Sequence, residues 1–151
     1  MPEAASDTTH IGARTLMAFD FGTRKIGIAV GQSITGTATP LPALPARDGI
    51  PDWSAVQQLI AEWQPDRLVV GLPLNMDASE SDLSRRARKF AGRLKGRFGK
   101  AVVLVDERLS TREARDRMGD AYRGGADPRV DSMAAAILIE AYFTDGAGDV
   151  L

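Results

Sequence analysis

The stretch from Leu16 to Phe21 predicts a strand whose alternation sets Leu16, Ala18 and Asp20 on one face and Met17, Phe19 and Phe21 on the other. Gly22-Thr23 turns the chain, and Ile26, Ile28 and Val30 then alternate in a second strand. Thr35 to Leu44 predicts a third, broken up by Pro40, Pro42 and Pro45. Three strands with short links make an antiparallel meander. After Pro51-Asp52 the period changes: Trp53, Val56, Leu59, Ile60 and Trp63 share one helical face, and Pro65 closes the helix. Core packing accounts for both tryptophans.

Arg67 to Val70 is a short apolar run without alternation, as suits a strand covered on both faces, and Gly71-Leu72-Pro73 reads as a loop. Ser79 and Asp82 resemble a capping box opening a helix with Leu83, Ala87, Phe90, Ala91, Leu94 and Phe98 along one side. Gly92 and Gly96 interrupt it, each costing about 1 kcal/mol relative to alanine, so close helix–sheet contact is expected there. Ala101 to Val105 predicts another fully apolar strand. A helix from about Thr111 and a last one from Asp127-Pro128 to about Phe143 complete the chain, with Pro128 at the first helical position. The order β-β-β-α-β-α-β-α-α predicts an α/β fold. Its mixed five-stranded sheet has the meander first, then parallel strands joined by right-handed crossovers, flanked by helices. Leu16–Phe21, Leu68–Val70 and Val102–Val105 form its parallel centre.

A chain of 151 residues suffices for one domain that buries roughly 70% of its unfolded surface, but not for two comfortable cores. We expect that domain over residues 15–144, with a flexible tail at 1–14 and another at 145–151. A composition of 44% hydrophobic and 26% charged residues suggests neither disorder nor a membrane protein. The longest apolar stretch, Met133 to Ile139, is far below spanning length and the first 14 residues hold no apolar core of a signal peptide, so a cytoplasmic protein is expected. Without cysteine there are no disulfides or thiolate sites, and the single histidine, His10, lies in the polar N-terminal tail. Any metal must therefore sit on oxygen.

Open α/β sheets bind ligands beyond the carboxyl ends of their parallel strands. Asp20 ends the first such strand, Asn75 and Asp77 follow the second, and Asp106-Glu107 end the third. Asp131 begins the last helix, where Ala134, Ala135 and Leu138 share its side and small residues permit close approach to the sheet. Convergent carboxylates without His or Cys suit Mg²⁺ or Mn²⁺. Two such ions, about 3.5–4 Å apart, activate water and stabilise the leaving oxygen in phosphodiester hydrolysis, with Asp20, Glu107 and Asp131 as ligands. Each has a competing structural role. Glu107 can pair with Arg108 or Arg112, and Asp131 can favour the helix dipole, whereas Asp20 between two phenylalanines is costly to bury unless paired or metal-bound.

Arg85, Arg86, Arg88, Lys89, Arg93, Lys95, Arg97 and Lys100 follow one another from Leu83 to Val105 with no acid between them. Of these, Arg86, Lys89, Arg93, Arg97 and Lys100 form a stripe beside the apolar face. Such a stripe neutralises phosphates and makes binding salt-dependent; the alternative is a solvated face with cations set favourably toward the helix C-terminus. Lys25, Arg108 and Arg112 add phosphate contacts nearer the carboxylates. A rival reading, a phosphate-cradling hairpin at Gly22-Thr23 as in actin-like ATPases, needs two domains around the nucleotide, and no Walker-type run is present.

Four runs together resemble the YqgF family: Ala18-Phe19-Asp20-Phe21-Gly22-Thr23-Arg24-Lys25-Ile26-Gly27, Val70-Gly71-Leu72-Pro73-Leu74-Asn75-Met76-Asp77, Asp106-Glu107-Arg108-Leu109-Ser110-Thr111, and Val130-Asp131-Ser132 with its alanine-rich helix. The match runs from about residue 15 to 143 with all motifs in order. It implies an RNase H-like fold related to the RuvC resolvases and a nuclease maturing the 5′ end of pre-16S ribosomal RNA, with Asp20, Glu107 and Asp131 as the family's acidic residues. Family members have also been described as Holliday junction resolvases. The partners so implied are structured nucleic acid, RNA ahead of DNA, and pre-ribosomal particles, with the protein a monomer or homodimer and no membrane involved. The sequence departs from the family at Ala78, where glycine is usual, and in a shorter, less basic link around 123–128. RNase H enzymes often use a fourth carboxylate; Asp77, Asp106 and Glu113 are candidates here.

Overall fold

The computed structural model of the chain describes residues 14–107, 131–145 and 149–151. Its elements are β1 (Thr15–Asp20), β2 (Lys25–Gln32), β3 (Thr37–Arg47), β4 (Ile50–Pro51), α1 (Trp53–Trp63), β5 (Arg67–Leu72), α2 (Asp82–Phe98), β6 (Ala101–Asp106), α3 (Met133–Asp145) and β7 (Asp149–Val150). They form one sheet in the order β4-β3-β2-β1-β5-β6-β7. The β1 strand is the hinge of the topology: it runs antiparallel to β2 and parallel to β5, which in turn runs parallel to β6. The five expected strands are present with the expected directions, and two two-residue strands extend the edges. The expected C-terminal tail returns to the sheet, with Val150 opposite Val103 and Asp149 opposite Leu104.

Alternation along the strands divides the core into two layers. Met17, Phe19, Phe21, Ile26, Ile28, Leu68, Val70, Val102 and Leu104 face α1 and α2, whose Val56, Ile60, Ala87, Phe90, Ala91 and Leu94 are buried against them. Leu16, Ala18, Ala29, Val69, Val103 and Val105 face α3, which is buried from Ala135 to Ile139. Burial on both faces is why β5 and β6 read as unbroken apolar runs.

Five local expectations are corrected. Gly71 and Leu72 continue β5 opposite Val105 and Asp106 instead of forming a loop. The β3 strand runs through all three prolines, because a strand near the sheet edge tolerates residues that cannot donate to a ladder. The cap of α2 is Ser81, whose hydroxyl accepts from Ser84 N at 3.0 Å while Ser84 Oγ accepts from Ser81 N at 2.6 Å. The expected cap, Ser79, instead donates to Asp77 in the preceding turn. This box turns Ser84 inward and leaves Leu83 at 39% exposure, off the buried side. Finally, nothing lies within 4 Å of a side chain built at Gly92 or Gly96, so no close sheet contact compensates them. The helix from about Thr111 and the segment from Asp127 to Val130 lie outside the described residues, as does His10.

Candidate acidic centre and basic flank

Asp20, Gly71 and Glu107 are gathered by register. Asp20 is the last residue of β1, one beyond Phe19, which pairs with Val70, so it lies beside Gly71 on β5. Strand parity sets Asp20 with Leu16 and Ala18, Gly71 with Val69, and Glu107 with Val103 and Val105, all on the α3 face. Gly71 is what lets Glu107 reach across. A Cβ there would stand 2.6 Å from Glu107 Oε1 and 2.8 Å from Leu138 Cδ1, so the carboxylate occupies the room that any side chain on β5 would fill. Asp20 and Glu107 therefore share one face of one sheet end, and both are half-buried.

On the other side of Asp20 its β2 partner is Gly27. A Cβ on Gly27 would come within 2.6 Å of the Asp131 carbonyl oxygen and 3.1 Å of Ser132 Cα, so the tight turn leading into α3 sits directly on the β2 backbone. Ser132, fully buried, fixes it there. The register shift of β3 against β2 between Ile26 and Ile28 disturbs the ladder, and the Ile28 N–H donates to Ser132 Oγ at 2.8 Å. The Asp131 side chain is turned to Lys25, whose Nζ lies 3.0 Å from Oδ2, with both side chains about half exposed. Among the described residues, no three His, Cys, Asp or Glu side chains are arranged to hold a metal ion. The structure thus brings Asp20 and Glu107 to one face of one sheet end and seats the backbone of Asp131 on the neighbouring Gly27, while the Asp131 carboxylate is engaged by Lys25.

The candidates for a fourth acid behave differently. Asp106 has the parity of Val102 and Leu104 and belongs to the α2 face. Asp77 accepts from Ser79 N at 3.0 Å and Ser79 Oγ at 2.5 Å, which ties it into its turn, and Asn75 donates to the same hydroxyl at 3.0 Å. In that turn Ala78 carries φ +70°, the conformation for which the glycine usual in the family is suited. Glu113, Arg108, Arg112 and the 123–128 link lie outside the described residues.

The basic stripe on α2 divides along its length. Arg86, Lys89 and Arg93 line a groove of about 410 Å³ with Phe21, Asp48, Gly49 and Ile50, and Arg86 also approaches Asp82 at 3.4 Å. Further on, the Arg97 guanidinium lies 4.4 Å from the centre of the Trp53 ring, and Lys100 is half-buried beyond the left-handed cap Gly99. Sequence reasoning missed Gly27, Gly71 and Ser132, whose roles depend on which element crosses above them. It also missed the Asp48-Gly49 hairpin, although that dipeptide between extended segments is a strong turn signal.

The sequence profile of the RuvX family, described as Holliday junction resolvase, matches residues 14–145. The chain belongs to the RuvX family. This is the YqgF family of the sequence resemblance. RuvX relatives from Salmonella arizonae and Salmonella newport, which bear the provisional name pre-16S rRNA nuclease, are 58% identical over 134 residues, covering 87% of this chain and 97% of theirs. Among solved structures, Thermus thermophilus RuvC superposes with a TM-score of 0.58 at 12% identity, covering 91% of this chain and 99% of that one. The same resolvase in complex with a Holliday junction substrate gives 0.60 at the same identity and coverage. The RNase H-like fold expected for RuvX is thereby established.

Proposed function

We propose that this RuvX-family chain is a Mg²⁺- or Mn²⁺-dependent endonuclease acting in the cytoplasm on structured RNA, chiefly a precursor of small-subunit ribosomal RNA within pre-ribosomal particles, as a monomer or homodimer. The observation that carries this reading is the meeting of Asp20 and Glu107 on one face of one sheet end, with the turn of Asp131 seated on the adjacent Gly27. The RNA preference follows the name of the 58% identical relatives. No helix among the described residues is long and apolar enough to cross a bilayer.

The donor types suit a hard cation, since Asp20 and Glu107 offer carboxylate oxygens on one face of the sheet end and the Asp131 carboxylate already lies 3.0 Å from the Lys25 ammonium. Asp20, Glu107 and Asp131 would hold the metal, with Asp131 released from Lys25. Bound there, the metal supplies charge stabilisation at the phosphate and lowers the pKa of water. Ser132 and Gly27 keep the Asp131 turn against β2, Gly71 leaves the space in which Glu107 lies over β5, and the half-buried setting limits competing water. Lys25, whose ammonium lies 3.0 Å from Asp131 Oδ2 at the edge of the site, would offer a phosphate oxygen a point charge. Arg86, Lys89 and Arg93, with Arg97, Lys100, Arg108 and Arg112, complete the set proposed to neutralise the backbone.

The test is cleavage of a precursor RNA with added metal. Asp20→Asn abolishes cutting and leaves the thermal melt within a few degrees of wild type; an equally active variant sinks the assignment. The second reading, a resolvase acting on four-way DNA, has its own support in the description of the family and in the RuvC fold. Matched RNA and DNA junctions in one competition assay separate the two, with paired symmetrical cuts by a dimer marking the DNA reading. Tight, salt-sensitive RNA binding without turnover, indifferent to Asp20→Asn and to metal, would instead identify a non-catalytic assembly factor.

A further inference from the structure

The groove beside α2 lies at the same sheet end as Asp20 but on the opposite face, because its floor, Phe21, is the next residue along the chain and points the other way. One wall is a hairpin. Arg47 pairs with Ile50 across Asp48 and Gly49, whose φ values of +51° and +78° make the mirror-image two-residue turn that Asp-Gly favours. The hairpin is fastened to the turn following Asp20: Gly49 N donates to Thr23 O at 2.9 Å and Ala46 N to Arg24 O at 2.7 Å. A Cβ on Gly49 would stand 2.5 Å from Phe21 Cζ, so the ring is clamped beneath the turn. Phe21 also packs against Phe90 of α2, with ring centres 5.4 Å apart. The other wall presents Arg86, Lys89 and Arg93, spaced to share one helical face. At the rim, Ile50 is 47% exposed.

This is more than a phosphate contact. A volume of about 410 Å³ is that of a small-molecule pocket, and three cations facing an apolar floor and one carboxylate match the parts of a nucleotide. The cations meet phosphate, the exposed Ile50 side chain meets a base, and Asp48 can accept from a base N–H. A base held within a duplex is stacked on both sides and cannot enter. We propose that this groove seats one unpaired nucleotide of the substrate strand, next to the phosphate held at the acidic centre, so that the enzyme selects strands with a single-stranded segment flanking the cut. The inference rests on the nuclease reading above and deepens it. The strand crosses the end of β1, with its scissile phosphate on the α3 face and the neighbouring nucleotide on the α2 face.

The test measures binding, in chelator so that nothing is cut, of a single-stranded oligonucleotide and of a blunt hairpin duplex of the same sequence. Ile50→Ser weakens the single strand by about tenfold, within the usual worth of one base contact, and moves the duplex less than twofold. Ile50→Trp, with a larger stacking surface, tightens the single strand. A photoreactive pyrimidine beside the cut cross-links to the segment around 48–50. Equal changes for both nucleic acids, or none, overturn the proposal, as does a free nucleoside monophosphate that saturates the groove at micromolar concentration, which would mark a site for free nucleotides. Wild-type cleavage with added metal is scored separately, so failure of the groove and failure of the nuclease reading are distinguishable.

Discussion

On the α3 face, the carboxyl end of β1 is lined by residues that take up almost no room, Gly27, Ala29 and Gly71, whereas on the α2 face the same strand end is filled by Phe19, Phe21, Phe90 and Trp53. Absence of side chains lets α3 and the acids approach the backbone of the sheet. The aromatic cluster does the reverse: Phe90 lies 5.8 Å from both Phe19 and Trp53, a rigid wedge that holds α2 off the sheet and presents its cations to solvent. One strand end thus carries negative charge on the side where backbones meet and positive charge on the side where bulk keeps them apart. Under the proposed function, a polyanion crossing that end would meet the acidic residues on one face and the cations of α2 on the other.

Filling the empty side should have the largest effect. Gly71→Ala puts a methyl where Glu107 Oε1 and Leu138 Cδ1 already stand, and Glu107 must move by an ångström or so. Misplacement on that scale costs roughly 100-fold in rate, to be read in single-turnover cleavage. The overpacking itself costs about 1–3 kcal/mol, visible as a lower thermal midpoint. Wild-type cleavage by this variant would show that Glu107 need not lie over β5. Ser132→Ala comes next. It leaves the buried Ile28 N–H without the acceptor it has at 2.8 Å, a loss of about 1–3 kcal/mol in denaturant titrations, and cleavage falls with it because the Asp131 turn loses its anchor.

How much of this was legible beforehand differs between the two faces for a physical reason. The strands, the two faces of β1 and the aromatic side of α1 follow from periodicity, which is a local property, and the sequence showed them. Asp20 was legible because an acid between two phenylalanines violates that periodicity. The small residues at Gly27 and Gly71 carry no such mark: each matters because of what a distant segment places above it, Asp131 in one case and Glu107 in the other. Gly92 and Gly96 mislead in the opposite sense. They suggested close packing, yet their positions are open, since the helix face they occupy is set by the capping box at Ser81 and Ser84 and by the aromatic wedge. Gly92→Ala is therefore expected to stabilise the protein by about 1 kcal/mol through helix propensity alone, seen as a small rise in thermal midpoint. A drop would reveal a contact on that face.

The smallest effect concerns how α2 is tethered. Glu80 accepts from Arg88 Nε and Nη2 at 2.9 Å each, and this hydrogen bonding, with the charges of Arg88 and Arg85, holds its carboxyl below the usual glutamate range despite some desolvation in the other direction. A carboxyl whose pKa is lower folded than unfolded binds more protons in the unfolded state. Its contribution to stability is thus present above the ordinary glutamate pKa and is lost as pH falls through the lowered one. Glu80→Gln removes this dependence. The stability difference between wild type and variant, followed from neutral pH down through the carboxylate range, should shrink toward acid. Because the pair is exposed, high salt should shrink it as well, whereas the Ser132→Ala deficit, being buried, should persist in salt.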